Sequence, residues 1–365
     1  MARRTLIARG TKPFREDMSK NTPIRPRPLR LGFVALSDSA PIIMAKELGL
    51  YAKYGLAVEL HREVGWATIR DKVVYGELDA AHAPAGLVVA ASCGLGSVQV
   101  ECLTGLVLNL NGNAITLSQN LWKKGVRDGQ TLRREITHGD EHITFGVVHA
   151  YSSHSLLLRQ WLRTYRIEPD RDVRIVVVPP AQVHANLKAG HLDGYCVGEP
   201  WNSLAVLSKT GWCVATSEEI APRHPEKVLM VRSDFAKRSE REHLLLIAAL
   251  LEACEFCARP ENRERLMETL AQPEYVGVPI QALRMGMAGT FDYGNGRVEK
   301  HSSFHLFAGE GVNAPTPDKA AWVIRNLLTS GIVKDPTLIP IEKATDWFRA
   351  DLFQQAAQLT GAQLQ

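Results

Sequence analysis

Five short stretches of this sequence carry side chains that could hold a small ligand. Each follows an apolar run or begins a helix, where backbone N–H groups lack intrahelical partners. They are Trp66, the turn Asn111–Asn113, Ser152–His154, Cys196–Trp201 and Lys227. Singly, each stretch has the composition of a helix cap or a turn. Together they offer neutral hydrogen-bond donors, an indole and one cation, which predicts a pocket for a small monovalent anion.

The chemistry of this set favours binding over catalysis. A weakly hydrated monovalent anion needs about one opposing charge, which Lys227 supplies as a compact ammonium. The sequence contains no Walker-type phosphate loop, dinucleotide glycine pattern, GxSxG or HExxH motif. Cys254-x-x-Cys257 lies in an apolar helical run without a second ligand pair, so it predicts packing. We therefore expect a protein that is not an enzyme, with no catalytic residue, cofactor or metal ion.

The elements that must position these residues alternate between strand and helix, which predicts an α/β fold. Val173–Val178 reads as a buried strand, and Pro179-Pro180 opens a helix. Gly194–Val197 is a short strand, followed by a helix from Glu199-Pro200-Trp201. Sheets of this kind bind ligands at the loops that follow their strands.

A similar unit occupies the first part of the chain. Leu29–Leu36 predicts a strand, after which Ser37-Asp38-Ser39 should cap a helix. The non-periodic segment Phe291–Gly311 is interpreted as a loop packed on the first lobe. The predicted division is lobe 1 at 29–138 and 231–365, and lobe 2 at 139–230. Two crossings between lobes make a hinge, and the cleft between them suits a small ligand.

Charge is concentrated at the start of the chain. The formal net charge of the whole chain is +4. Residues 1–30 alone carry +7, so the remaining residues sum to −3. This predicts a disordered basic leader over residues 1–28 and a nearly neutral body, which does not suit direct nucleic-acid binding. No apolar run reaches the ~20 residues of a membrane span or forms an export signal. The six cysteines lie mostly in apolar runs, as expected of thiols in a reducing compartment, so we expect a cytoplasmic protein.

Several longer segments are specific enough to indicate a family. They are GWATIRDKVVYGELDAAH, LNLNGNAIT, SSHSLLLRQWL, DVRIVVVPPAQVHANLKAGHLDGYCVGEPWN and HPEKVLM. Through them the chain resembles the nitrate- and bicarbonate-binding proteins of ABC importers. The resemblance implies a two-lobed type II periplasmic-binding-protein-like fold with the ligand cleft between lobes. Within that family the chain is most similar to the cytoplasmic nitrate/nitrite sensors of the NasS type.

The resemblance also implies roles for individual residues. The implied ligand-binding set is Trp66, Asn113, Ser152, Ser153, His154 and Lys227. Trp66 would pack over the planar anion, and Asn113 would replace a longer Gln as an amide donor. Ser152 and Ser153 stand where relatives have glycines that offer N–H groups. Bicarbonate-binding relatives carry an acid at the position of Lys227, so this lysine favours nitrate or nitrite.

These features predict a cytoplasmic nitrate or nitrite sensor. The resemblance implies that it regulates nitrate assimilation by binding a response-regulator-type RNA-binding antiterminator protein, without contacting nucleic acid or membrane itself. The alternative is the substrate-binding component of a nitrate/nitrite ABC importer. A third class, the pyrimidine synthases of thiamine biosynthesis, shares the fold but uses a Cys-rich motif that this sequence lacks.

Overall fold

The computed structural model describes residues 27–360, apart from the side chains of Ala344 and Thr345. The predicted leader, residues 1–28, thus lies outside the described residues except at its last two positions. There Arg27 donates from both terminal nitrogens to the Asp79 carboxylate, at 2.7 and 2.9 Å. This bidentate pair fixes the chain just before the first strand.

The chain forms thirteen strands and seventeen α-helices within the described residues. The strands are β1 Leu29–Val34, β2 Val58–Glu63, β3 Ala80–Pro84, β4 Cys102–Asn111, β5 Asn113–Ser118, β6 Thr144–Val147, β7 Arg174–Val177, β8 Gly194–Gly198, β9 Gly211–Thr216, β10 Pro225–Arg232, β11 Thr290–Gly294, β12 Arg297–Lys300 and β13 His305–Leu306. The helices are α1 Ala40–Glu47, α2 Leu50–Lys53, α3 Trp66–Val74, α4 Ala85–Ser92, α5 Gln119–Lys123, α6 Gly129–His138, α7 Ser153–Thr164, α8 Pro180–Lys188, α9 Trp201–Leu207, α10 Ser217–Ile220, α11 Ser233–Arg238, α12 Glu240–Ala258, α13 Arg263–Leu270, α14 Ile280–Met287, α15 Pro317–Thr329, α16 Ala344–Trp347 and α17 Ala350–Thr360.

Two mixed sheets organise the fold. The first has the strand order β13-β4-β10-β3-β1-β2, and the second has the order β7-β6-β8-β5-β9. In the first sheet β1 is parallel to β2 and β3, while β10 runs antiparallel to β3 and β4. In the second, β6 is parallel to β7 and β8, and β5 is antiparallel to β8 and β9. Each sheet is the centre of one lobe.

The chain leaves the first sheet at a tight turn. β4 ends at Asn111, β5 begins at Asn113 in the other sheet, and the two turn residues Asn111 and Gly112 have φ values of 60° and 102°. The chain therefore passes from the first sheet to the second at Gly112. The predicted lobe limits placed this crossing near residue 139. An Asn-Gly signal predicts a turn but does not say which sheet the next strand will join.

Two predicted elements differ from the structure. The apolar run Val173–Val178 forms an edge strand, β7, which pairs only with β6, and Val177 is 60% exposed. The segment Phe291–Gly311, interpreted as a loop on the first lobe, contains the β11–β12 hairpin. Its Phe291 and Tyr293 pack with Cys213 of β9, on the second lobe. The later residues His305–Leu306 form β13 and pair with β4 of the first sheet, as expected for a segment packed on the first lobe. The hairpin signal was present as Asn295-Gly296, a two-residue turn with both φ values positive.

Two main cores fill the fold, and the larger one extends from the first lobe into the second, where it includes Val183, Tyr195 and Trp201. The larger core lies around the first sheet and includes the apolar face of α12, which packs on α1 and α17. The smaller core lies between the second sheet and helix α7. Over residues 27–360, none of the helices combines the length and the apolar character needed to cross a bilayer.

Candidate binding site

The candidate site lies where the chain crosses between the two sheets. Asn113 opens β5 on the way out, and Lys227 lies on β10 on the way back. Trp66 is the first residue of α3, and Ser153 and His154 are the first two residues of α7, as the sequence predicted for a pocket built on helix starts. All five side chains are less than 5% exposed. In this structure the five side chains are thus closed off from solvent.

Lys227 lies at the centre of this cluster. Its Nζ is 2.7 Å from Asp38 Oδ2, forms a second ion pair with Glu226 Oε1, and lies 5.3 Å from the centroid of the Trp66 ring. Burial alone would lower the pKa of Lys227, but the two carboxylates outweigh it and raise the pKa, so the ammonium remains charged. The sequence predicted a single cation among neutral donors, and the two acidic partners correct that prediction.

Asp38 does not cap a helix as predicted. It lies in the short 3₁₀ turn Ser37–Ser39, which has no side-chain capping bond, and its carboxylate is fully buried. Oδ1 is 2.9 Å from His82 Nε2 on β3, and Oδ2 pairs with Lys227. Burial would raise the pKa of Asp38, but Lys227 and His82 together hold it well below its usual range. Asp38 is therefore an ionised partner of the site lysine.

Glu226 joins the two lobes through its carboxylate. Asn113 Nδ2, on the second sheet, donates to Oε2 at 2.7 Å. His224 Nε2 is 3.1 Å from the same oxygen, and His154 Nε2 is 3.6 Å from Oε1. Burial would raise the pKa of Glu226, but Lys227 and the two histidines lower it. Glu226 is thus an ionised acceptor at the base of the cleft.

A backbone irregularity explains why Glu226 and Lys227 both face the cleft. Successive residues of a regular strand point to opposite faces of the sheet. The register of β10 against β4 shifts on both sides of Lys227. Such bulges re-aim side chains and are common beside functional sites. The bulge therefore brings an acid and a base from adjacent positions into the same buried space.

Several buried polar atoms at the site have no hydrogen-bond partner within residues 27–360. They are Trp66 Nε1, Asn113 Oδ1, Ser153 Oγ and both ring nitrogens of His154. Burying a polar group without a partner costs about 1–3 kcal/mol, so such groups are rare unless a ligand or water satisfies them. Trp66 Nε1 and Ser153 Oγ can donate, the neutral His154 ring has one N–H, and Asn113 Oδ1 accepts. Trp66 lies beside the Lys227 ammonium. The arrangement suits a small acceptor-rich ligand.

Two neighbouring residues serve the local backbone. Ser152 Oγ donates to His149 O at 2.7 Å, and Tyr151 N donates to His149 Nδ1 at 3.2 Å. These bonds shape the turn that leads into α7. Burial lowers the pKa of His149 to about 4, so its ring stays neutral. The Ser152 hydroxyl is thus engaged in the turn, and Ser153 carries the free hydroxyl.

The contacts join Trp66, Asn113, His154 and Lys227 into one cluster. Ser152 and Ser153 directly precede His154 at the start of α7. The site also contains four residues that the sequence analysis did not assign to it, namely Asp38, His82, His224 and Glu226. The signal for His224 and Glu226 was present, because both belong to the segment HPEKVLM that carries the family resemblance.

Comparisons with known proteins agree with this architecture. Residues 22–271 match the model of the NMT1-like family. The nitrate import ATP-binding protein NrtC of Synechocystis sp. is 38% identical over 339 residues, 91% of this chain and 50% of NrtC. The bicarbonate transport ATP-binding protein CmpC of Synechocystis sp. is 40% identical over 314 residues, 84% of this chain and 46% of CmpC. The chain thus spans about half the length of these two relatives.

A solved structure confirms the predicted fold. The crystal structure of the periplasmic nitrate-binding protein NrtA from Synechocystis PCC 6803 superposes with a TM-score of 0.85 at 28% identity, covering 91% of this chain and 88% of NrtA. The fold is therefore the α/β periplasmic-binding-protein-like fold.

Proposed function

The chain belongs to the NMT1-like family, and from this premise we propose that it is a cytoplasmic sensor of nitrate or nitrite. The observation that carries the proposal is the set of unpartnered donors around Lys227. Trp66 Nε1, Ser153 Oγ and His154 are buried in a closed cleft beside a charged ammonium. A planar monovalent oxyanion has acceptors on every side and no proton to donate, so it can satisfy several of these donors at once.

Similarity to NrtA and NrtC supports nitrate or nitrite as the ligand. The similarity to CmpC makes bicarbonate the competing ligand, because that relative is named for bicarbonate transport. Lys227 favours nitrate, since an ammonium offers donors to an anion that only accepts hydrogen bonds.

The proposed role as a sensor needs a ligand that prefers the closed state of the two lobes. Closure would change a surface that a response-regulator-type RNA-binding antiterminator protein recognises, and nitrate would thereby regulate nitrate assimilation. Six free cysteines, five of them buried, support a reducing compartment such as the cytoplasm.

Calorimetric titration with nitrate, nitrite, bicarbonate and sulfate tests the ligand. We expect nitrate or nitrite to bind and Lys227→Ala to reduce the affinity at least tenfold, because the variant leaves Asp38 and Glu226 without their shared cation. Lys319→Met is the matched control. Lys319 is also a buried lysine, but its Nζ donates to the carbonyls of Gly311, Val312 and Ala314. Bicarbonate binding without nitrate binding, or full affinity in Lys227→Ala, contradicts the proposal.

The second candidate is the substrate-binding component of an importer, favoured by the similarity to proteins named for nitrate import and bicarbonate transport. Pull-down from the source cells with and without nitrate separates the two roles. Capture of an RNA-binding antiterminator in only one of the two conditions supports the sensor. Recovery of the protein from the periplasm, or with membrane subunits of an importer, supports transport. If neither partner is captured, the sensor role is contradicted.

A further inference from the structure

A close contact between the two lobes lies at Gly86. Gly86 is the second residue of α4, which packs on β3, β4 and β10 of the first sheet. Tyr151 lies two residues before α7 of the second lobe. A Cβ atom on Gly86 would lie 2.1 Å from the carbonyl oxygen of Tyr151 and 3.3 Å from its carbonyl carbon. Since a carbon atom normally approaches a carbonyl oxygen no closer than about 3.3 Å, only glycine fits here while the lobes hold this arrangement.

The backbone conformation of Gly86 does not itself require glycine. Glycine is favoured where φ is positive, but Gly86 lies in a helix and is not among the residues with positive φ. Gly86→Ala therefore adds a methyl group without straining the backbone of α4. The atom that this methyl group would meet belongs to the backbone of Tyr151, so a change of rotamer cannot relieve the clash. The close approach of the second lobe is thus the reason for a glycine here.

Helix α4 is held firmly in the first lobe. All eight of its residues are buried. Pro84, the last residue of β3, pairs with Lys227 of β10, and α4 begins at the next residue. A Cβ atom on Gly86 would also be in ordinary contact with Val323 Cγ1 of α15, at 4.0 Å. A side chain at this position would therefore displace the turn of the second lobe rather than α4.

The turn at Tyr151 leads directly into two residues of the candidate site. Tyr151 N donates to His149 Nδ1 at 3.2 Å, which ties the residue to its own turn. Ser153 and His154 then begin α7, and His154 Nε2 lies 3.6 Å from Glu226 Oε1. Because the turn and the start of α7 are continuous, we expect them to move together. The position of the Tyr151 carbonyl thus determines where the donors of α7 lie relative to the buried ion pairs of β10.

We propose that Gly86 is a positioning residue of the binding site, whose missing side chain lets the Tyr151 carbonyl rest on α4 and so brings Ser153 and His154 to the bound anion. This inference rests on the proposed function. A methyl group on Gly86 would need a displacement of about 1 Å to restore an ordinary contact. Hydrogen bonds span only about 2.7–3.2 Å between donor and acceptor, so this displacement takes the donors of α7 out of range. The anion then keeps its contacts with the first lobe and loses those with α7.

Calorimetric titration of Gly86→Ala with nitrate and nitrite tests the proposal. We expect both affinities to fall at least tenfold, because the methyl group holds the donors of α7 away from the anion. Circular dichroism should show that the unliganded variant is folded, since the lobes can move apart to make room for the methyl group. Wild-type affinity in Gly86→Ala overturns the proposal.

A double-mutant cycle with Ser153→Ala separates positioning from a general loss of stability. Ser153→Ala alone removes a hydroxyl that has no partner in the described chain, so it should weaken nitrate binding several-fold. In the Gly86→Ala background this hydroxyl is already displaced, and the same change should have little further effect. Additive losses, or no loss from Ser153→Ala alone, would show that Gly86 does not act through α7 and would overturn the proposal.

Gly105→Ala is the matched control. Gly105 is also a buried glycine of the first lobe, and its Cβ would lie 2.6 Å from Ile247 Cδ1, but both residues belong to that lobe. The control should lower the free energy of unfolding, as overpacking does, and leave the nitrate affinity unchanged. An equal loss of affinity in Gly105→Ala would assign the effect to overpacking of the first lobe, which contradicts a role in positioning α7.

A measurement on the wild-type protein tests the same contact if Gly86→Ala does not fold. Nuclear Overhauser effects between Gly86 and Tyr151 report their approach in solution, and we expect them in the nitrate-bound protein. Their absence from the nitrate-bound protein overturns this inference and leaves the proposed function intact. If wild-type protein binds neither nitrate nor nitrite, the proposed function fails.

Discussion

The indole of Trp66 contributes two separable features to the site. Its ring face lies 5.3 Å from the Lys227 ammonium, and its Nε1–H is buried without a partner in the described chain. Phe keeps an aromatic face but lacks the N–H. We expect Trp66→Phe to weaken nitrate binding by about 1–2 kcal/mol, roughly 5- to 30-fold, if the N–H bonds the anion. Titration calorimetry measures the change.

Trp212→Phe is the control for that variant. Trp212 is also buried with an unpartnered Nε1, but it packs against Trp122 in the second lobe. The control should bind nitrate as the wild type does. Equal affinities in Trp66→Phe and the wild type would show that the indole N–H does not contact the ligand.

Residue types at helix starts were predictable, but their long-range partners were not. The beginnings of α7 at Ser153 and α8 at Pro180 follow from local composition. Asp38 has the local sequence of an N-cap, and only the fold brings its carboxylate to His82 and Lys227. The inward turn of Glu226 depends on the register shift between β10 and β4. Such a shift arises from strand pairing, which the pattern of a single strand does not encode.

At the scale of elements, the sheet to which a strand belongs was harder to predict than the strand itself. The run that forms β7 is apolar because Ile175 and Val176 each pack against one of the two cores, yet the strand lies at an edge of its sheet. Helices α11 and α12 follow each other with only Ser239 between them. The periodicity of apolar residues in a sequence indicates which side of a strand or helix is buried. The sheet topology determines which other elements cover that side.

The β11–β12 hairpin offers a test of turn geometry. Asn295 and Gly296 both have positive φ, 53° and 90°, as a type I′ turn requires. A β-branched residue in this conformation costs roughly 1–2 kcal/mol, so Asn295→Val should lower the free energy of unfolding by that amount. Asn295→Gly should change it by less than about 1 kcal/mol.

Chemical denaturation of both variants gives the comparison directly. Both lose the hydrogen bond from Gln119 Nε2 to Asn295 Oδ1, so this bond does not contribute to the difference between them. Equal free energies of unfolding for the two variants would mean that the positive φ at residue 295 does not contribute to the stability of the protein.

At the scale of the whole molecule, two hydrogen bonds join the lobes across the cleft. Trp201 Nε1 of the second lobe donates to Ala35 O of the first at 3.3 Å, and Ser37 N donates to Glu199 O at 2.7 Å. Both bonds join the two lobes, so we expect them to break when the cleft opens. If the unliganded protein is mainly open, anything that weakens closure lowers the apparent affinity by the same factor for every ligand that needs the closed state.

Trp201→Phe tests this coupling because it removes one interlobe hydrogen bond and keeps an aromatic ring. The bond contributes about 1 kcal/mol at most, so nitrate and nitrite affinities should both fall by up to roughly fivefold, with their ratio unchanged. Trp161→Phe, buried in the core of the second lobe, should leave both affinities as they are. A change in the nitrate-to-nitrite ratio would instead place Trp201 against the ligand, because a residue that only stabilises closure cannot distinguish two ligands bound by the same closed state.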